Sequence, residues 1–114
     1  MDATELVLLY DYYGDLLTDR QKECFDLRYN QDLSLGEIGQ ELGISRQGVH
    51  DNLVRTEALL KNMEQKTGCV RRDQRCRKVI DTILKAALEL RESSDAQASA
   101  AAQRIISAAE ELEE

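Results

Sequence analysis

The sequence predicts an all-α protein built around a helix-turn-helix, with two further helices after it. Three observations lead there. Proline is absent, there are only six glycines, and aromatic residues make up 4% of the 114 positions, while the helix formers Leu, Ala, Glu, Gln and Arg dominate. Apolar residues recur at intervals of three and four along most of the chain. Finally, two capped helices meet across a glycine in Ser34-Leu35-Gly36-Glu37-Ile38-Gly39-Gln40-Glu41-Leu42-Gly43-Ile44-Ser45-Arg46-Gln47-Gly48-Val49.

The first helix is expected from about Thr4 to Leu17, where Leu6, Leu9, Tyr10, Tyr13, Leu16 and Leu17 mark one buried face. Thr18 starts the second, with Gln21 three residues on as its capping-box partner, and Cys24, Phe25, Leu27 and Arg28 continue it. Tyr29-Asn30-Gln31-Asp32 reads as a break. Ser34 caps the third helix and Glu37 completes its box; Ile38 and Leu42 then fall on one face. Gly43 supplies the positive φ that ends this helix, Ile44 plugs the corner, and Ser45 caps the fourth.

The fourth helix is long. Val49, Leu53, Thr56, Leu60 and Met63 carry its stripe from Ser45 to about Lys66, and Gly68 stops it. Val79, Ile80, Ile83, Leu84, Ala87 and Leu88 describe a fifth helix from roughly Asp73 to Arg91. Ser93-Ser94-Asp95 forms a break and cap before a last, Ala-rich helix over about Asp95 to Leu112. There Ala98, Ala101, Ile105, Ala108 and Leu112 approach heptad spacing, a stripe suited to packing on the same chain or on a second copy as a homodimer. The expected organisation is a helix-turn-helix domain over residues 1–68 and a helical C-terminal extension over 69–114, with one main core.

The net charge of −7 argues against a protein that simply coats nucleic acid, but the charge is uneven. Residues 1–17 carry −4, 18–68 carry −2, 69–78 carry +4 and 79–114 carry −5. The acidic N-terminus leads into no long apolar run, so neither a signal peptide nor a membrane span is expected and the cytoplasm is the expected location. Cys24, Cys69 and Cys76 fit no zinc spacing and are expected to be reduced. His50 is the only histidine, which leaves no metal site and no triad. No constellation for catalysis and no cofactor motif is present.

In a helix-turn-helix the second helix enters the DNA major groove. With Val49, Leu53 and Thr56 inward, Arg46, Gln47, His50 and Asp51 point outward near the start of the fourth helix. Arg46 suits guanine, Gln47 adenine, and Asp51 can accept from cytosine. Ser45 and the first-turn amides suit a phosphate, and Arg55 the backbone further along. Against this, the motif chiefly reports packing, and residues 34–66 carry a net charge of −1. The stretch Arg71, Arg72, Arg75, Arg77 and Lys78 is a second candidate contact for phosphates or an acidic protein surface. The acidic residues Glu110, Glu111, Glu113 and Glu114 offer it an intramolecular alternative. Tyr10, Tyr12, Tyr13 and Tyr29 suit either base stacking or a core with hydroxyls at its rim.

Over Thr18 to about Glu64, the segments Leu17-Thr18-Asp19-Arg20-Gln21, Ser34-Leu35-Gly36-Glu37-Ile38-Gly39 and Ile44-Ser45-Arg46-Gln47-Gly48-Val49 resemble region 4 of bacterial sigma factors. Adding Leu8-Leu9-Tyr10-Asp11-Tyr12-Tyr13-Gly14-Asp15-Leu16-Leu17-Thr18 in front and His50 to Glu57 behind, residues 4 to about 66 look like the YlxM family of small bacterial helix-turn-helix proteins. That resemblance implies a sigma-region-4-like bundle and a DNA-binding, regulatory role. It also implies an association with the signal recognition particle pathway, through the particle's RNA or GTPase, and the sigma likeness implies RNA polymerase as a further partner. The segment from Cys69 onward matches no family pattern.

Overall fold

The structure, a computed structural model, describes residues 2–112. Among the described residues six α-helices follow one another: α1 (Ala3–Tyr13), α2 (Asp19–Phe25), α3 (Leu35–Leu42), α4 (Arg46–Thr67), α5 (Cys69–Arg91) and α6 (Ala96–Glu111). No strand occurs among the described residues. The chain divides into two compact units, Met1–Val70 and Arg71–Glu114.

In the first unit α4 is the spine. Its Leu60 joins Leu6, Leu9, Tyr13, Leu17, Phe25 and Val70 in one core cluster, and its Val49 and Leu53 join Cys24 and Ile38 in another. Phe25, Ile38, Leu60, Val49, Thr56 and Cys24 are the largest fully buried side chains. Tyr29 packs against both clusters and links them. Burial pushes the Cys24 thiol up, as suits a core residue rather than a nucleophile.

Three boundaries differ from expectation. The first helix ends at Tyr13, and Gly14–Leu16 form a 3₁₀ turn in which the Leu17 N–H donates to the Gly14 carbonyl at 3.0 Å. The tighter turn extends Leu17, so that Thr18 is free to cap α2, with Gln21 completing the box. The expected break at Tyr29-Asn30 is instead a π-helical turn over Asp26–Asn30. The Asp26 carboxylate, which accepts from Asn30 at 2.8 Å and Gln31 at 3.2 Å, stabilises this wider turn. The chain leaves it only at Asp32, whose φ is 57°.

The third difference is at α5, which begins at Cys69 rather than near Asp73. Gly68, at φ 63°, ends α4 in a single left-handed residue, and α5 starts at the next position. Beside that corner lies Glu64, 9% exposed, which accepts from the Tyr13 hydroxyl at 2.7 Å and the Val70 N–H at 3.0 Å. A glutamate counted as surface charge from the sequence is thus a buried acceptor joining α1, α4 and the start of α5.

Tyr29 carries a prediction. Its hydroxyl donates to Glu57 on α4, and burial, then Glu57 itself, push its pKa from 10.0 up to about 12. Burial also raises Tyr10 and Tyr13. A folded-state pKa above the unfolded one means the native state holds the proton longer. The contribution is complete below pH 10 and is lost as pH rises towards about 12. Thermal melts from pH 8 upward should show stability falling through that window, and Tyr29→Phe should make the fall shallower.

In the second unit, α6 runs antiparallel to α5 after the Glu92–Asp95 turn. The Ser99 hydroxyl donates to the Arg91 carbonyl at 2.8 Å, and Ala87, Ala102 and Ile106 form a small core with Leu84 against it. The row that packs on α5 is Ala102, Ile106 and Ala109, not the expected one. Ile105 is 41% and Leu112 71% exposed. The heptad-like stripe lies one residue, about 100°, away from the face that α5 covers.

Candidate nucleic-acid interface

The corner between α3 and α4 is built from backbone contacts. Ser34 and Glu37 form a reciprocal capping box at the start of α3, and the Ser34 N–H bond holds the exposed Glu37 carboxyl below its usual pKa. Gly43 ends α3 at φ 70°, and the Ile44 N–H donates back to the Gly39 carbonyl at 3.0 Å. The two backbones approach so closely that a Cβ on Gly39 would lie 2.7 Å from the Ile44 carbonyl oxygen. Arg20 fastens the same corner by donating to the Leu42 carbonyl at 3.3 Å. Arg28 likewise donates to the Leu33 carbonyl ahead of α3 at 3.0 Å.

Ser45 starts α4 by accepting from the Gly48 N–H at 3.0 Å. The first-turn amides of Arg46 and Gln47 lie at the positive end of the helix dipole, where an anion is favoured. Val49, Leu53 and Thr56 are buried, while Ser45, Arg46, Gln47, His50, Asp51 and Arg55 are exposed. The first five are brought together within two turns, with Arg55 one turn further along. Gln47 Nε2 donates to Asp51 Oδ1 at 3.0 Å, and His50 Nδ1 lies 3.5 Å from the same oxygen. Asp51 therefore orients Gln47, whose amide donor meets its charge.

One residue of this face was not singled out from the sequence. Val54 is 51% exposed and lies on the outward row Gln47, Asp51, Val54, Ala58. Its signal was an apolar residue off the buried stripe. Further along, Gln21, Arg55, Ala58, Leu59 and Asn62 line an open cleft of about 550 Å³ between α2 and α4. The outer face of α3 carries Glu37, Gln40 and Glu41, so the field beside the exposed start of α4 is acidic.

Arg71, Arg72, Arg75, Arg77 and Lys78 are not part of this cluster; they fall on the first turns of α5 in the second unit, all exposed. Spacings of four and three put Arg71, Arg75 and Lys78 on one row. Arg77 pairs with Asp73 at 3.1 Å. Of the acidic residues suggested as an intramolecular match, Glu113 and Glu114 lie outside the described residues.

Tyr10 stacks on Phe25 at 4.4 Å, and the Tyr13 and Tyr29 hydroxyls end on Glu64 and Glu57. These three rings belong to the core and its rim; Tyr12 is 44% exposed. Among the described residues no group of three or more His, Cys, Asp or Glu converges on a metal position, and no helix is long and apolar enough to cross a membrane.

A capped tri-residue corner, a buried inner stripe and a solvent-facing second helix define a helix-turn-helix protein of the all-α class. Residues 2–100 match the family described as "Putative helix-turn-helix protein, YlxM / p13 like", UPF0122, and the chain belongs to that family. A UPF0122 protein of Thermoanaerobacter sp. (strain X514) is 48% identical over 91 residues, covering 80% of this chain and 78% of its own. One from Acetivibrio thermocellus is 58% identical over 66 residues, covering 58% and 56% respectively. One from Symbiobacterium thermophilum is 40% identical over 107 residues, covering 94% of each chain.

Proposed function

We propose that this protein is a non-enzymatic, cytoplasmic regulator that binds duplex DNA by placing the start of α4 in the major groove. The observation that carries the reading is the outward cluster Arg46, Gln47, His50 and Asp51 over a buried Val49, Leu53 and Thr56. Arg46 would take guanine through two hydrogen bonds, and Gln47 and Asp51, already tied to one another, would read adjacent base edges as a unit. Val54 would meet a thymine methyl group. Ser45 with the first-turn amides would hold a phosphate and Arg55 the next stretch of backbone. With a net charge of −1 over residues 34–66, affinity must come from base contacts more than from phosphate neutralisation. Transcription regulation in the manner of sigma region 4, with RNA polymerase as partner, is the form this takes if the sigma likeness extends to function.

A second reading has one observation in its favour, the five cations within residues 71–78 of α5. It makes the chain an adaptor that grips the signal recognition particle's RNA or GTPase through Arg71, Arg72, Arg75, Arg77 and Lys78.

Mutation separates the two. On the DNA reading, Arg46→Ala weakens binding to a preferred duplex by about 5- to 100-fold and leaves weak binding to other sequences unchanged. Reversing Arg71 and Arg72 to glutamate lowers affinity for all sequences alike or not at all. Equal losses from both changes on every sequence would overturn groove reading.

A further inference from the structure

We infer that the cleft between α2 and α4 is a docking groove for a short acidic amphipathic helix of a partner protein. The inference stands on the first unit alone, whether or not the start of α4 reads DNA.

By sequence, residues 55–66 of α4 are close to neutral, with Arg55, Lys61 and Lys66 against Glu57 and Glu64. The fold sorts these charges. Glu57 accepts from the Tyr29 hydroxyl, and the buried Glu64 accepts from the Tyr13 hydroxyl and the Val70 N–H. Both carboxylates are thereby drawn to the inner side of the helix. Lys61 follows Glu57 by one turn and stays beside it. Arg55 and Lys66 are left on the exposed row Arg55, Leu59, Asn62, Lys66, whose spacings of four, three and four keep it on one side. Among the described residues neither cation has an ion-pair or hydrogen-bond partner. Asp51, one turn before Arg55, already accepts from Gln47.

From α2 the cleft receives Gln21. Its Oε1 accepts the Thr18 N–H at 2.9 Å, which leaves the Nε2 donor for the cleft. Asp19 and Glu23, two residues to either side, fall on the far side of α2. Ala58 and Leu59 give the cleft its apolar lining, and Leu59 is 42% exposed. Around them stand the Arg55 guanidinium and the Gln21 and Asn62 amides, and no carboxylate lines the cleft among the described residues.

Charge and shape select the occupant. An apolar lining ringed by donors fits apolar side chains flanked by anionic acceptors. A phosphate backbone would meet the two cations but bring nothing apolar to Ala58 and Leu59. At about 550 Å³ and open along one side, the cleft is a groove that takes a helix rather than a pocket for one side chain. Arg55 and Lys66 stand 11 residues apart on one helix, about 16 Å. A helix of about four turns therefore reaches both cations with carboxylates near its two ends, and sets apolar residues one turn apart between them.

The probe is a fluorescein-labelled helical peptide of about 16 residues, with two leucines one turn apart at its centre and glutamates about 11 residues apart toward its ends. Anisotropy with the full chain should give a Kd of about 10–100 μM that weakens as salt rises. Leu59→Ala should raise Kd about tenfold and Lys66→Glu about fivefold. Neither side chain belongs to a core cluster, so helix content should be unchanged. Of two peptides in which one glutamate or the other is replaced by lysine, one should bind Lys66→Glu more tightly than the natural chain. Amide shifts on adding the parent peptide should fall on residues 18–22 and 55–66, around the cleft. No binding at millimolar peptide, equal binding of a counterpart with lysine at both ends, shifts on residues 71–78 instead, or a Kd that Leu59→Ala or Lys66→Glu leaves unchanged would each overturn the inference. A random duplex that displaces the peptide and loses as much affinity on Leu59→Ala would assign the groove to nucleic acid. Self-association abolished by Leu59→Ala would assign it to a second copy, and either result would overturn the inference as well.

Discussion

Phe25→Ala is expected to lower unfolding stability by about 3–5 kcal/mol, a large share of the roughly 5–15 kcal/mol that holds a small domain together. Phe25 is fully buried where α2 passes into the π-helical turn. Its ring stacks on Tyr10 at 4.4 Å and 7°, and meets Tyr29 at 4.5 Å. Truncation leaves a void between two aromatic rings that cannot both close over it, because Tyr29 is also held at its hydroxyl by Glu57. Urea titration followed by circular dichroism should show a lower midpoint with an unchanged slope. Tyr12→Ala, at a ring 44% exposed, should cost no more than about 1 kcal/mol. A loss at Phe25 of the same size as at Tyr12 would contradict this packing.

Gly39→Ala should cost about 3 kcal/mol and abolish duplex binding with it. The added methyl would lie 2.7 Å from the Ile44 carbonyl oxygen, and that neighbour is backbone, so α3 and the turn must move apart. The angle at which α4 leaves the corner changes with them. Gly36 lies in the same helix, but a Cβ there meets nothing closer than the Ser34 hydroxyl at 3.9 Å. Gly36→Ala should therefore stabilise α3 by about 0.5–1 kcal/mol through helix propensity alone. Thermal melts of the two variants side by side test the pair. Equal effects would mean that close backbone approach does not set the corner.

What the sequence made legible was everything that local chemistry decides. Thr18, Ser34 and Ser45 each cap the helix they were expected to cap, the cap expected within Ser93-Ser94-Asp95 is Asp95, and Gly43 and Gly68 both take the left-handed conformation. The inward stripe of α4 is where its periodicity put it from Val49 to Leu60, while its last buried position is Glu64 rather than Met63. Much of what escaped depends on partners distant in the chain. The π-helical turn at Asp26–Asn30 leaves no period of its own, and Tyr29 owes its position to Glu57, 28 residues away. Glu64 looked like solvent charge because its partner Tyr13 lies 51 residues earlier. On α6 an Ala-rich sequence offers two rows of nearly equal apolarity, and the heptad-like row is the one that α5 does not cover. At the candidate interface, residue types and facing were legible, whereas the Gln47–Asp51 bond and the exposure of Val54 needed coordinates.

Duplex reading by the start of α4 is open to one decisive binding measurement. Fluorescence anisotropy of the full chain against random duplex, genomic fragments and signal recognition particle RNA, at low and near-physiological salt, tests it most directly. One class of duplex should stay bound at physiological salt and be released by Arg46→Ala. Binding confined to the RNA, or no binding until the particle's GTPase is added, would contradict it and move the function to the adaptor reading.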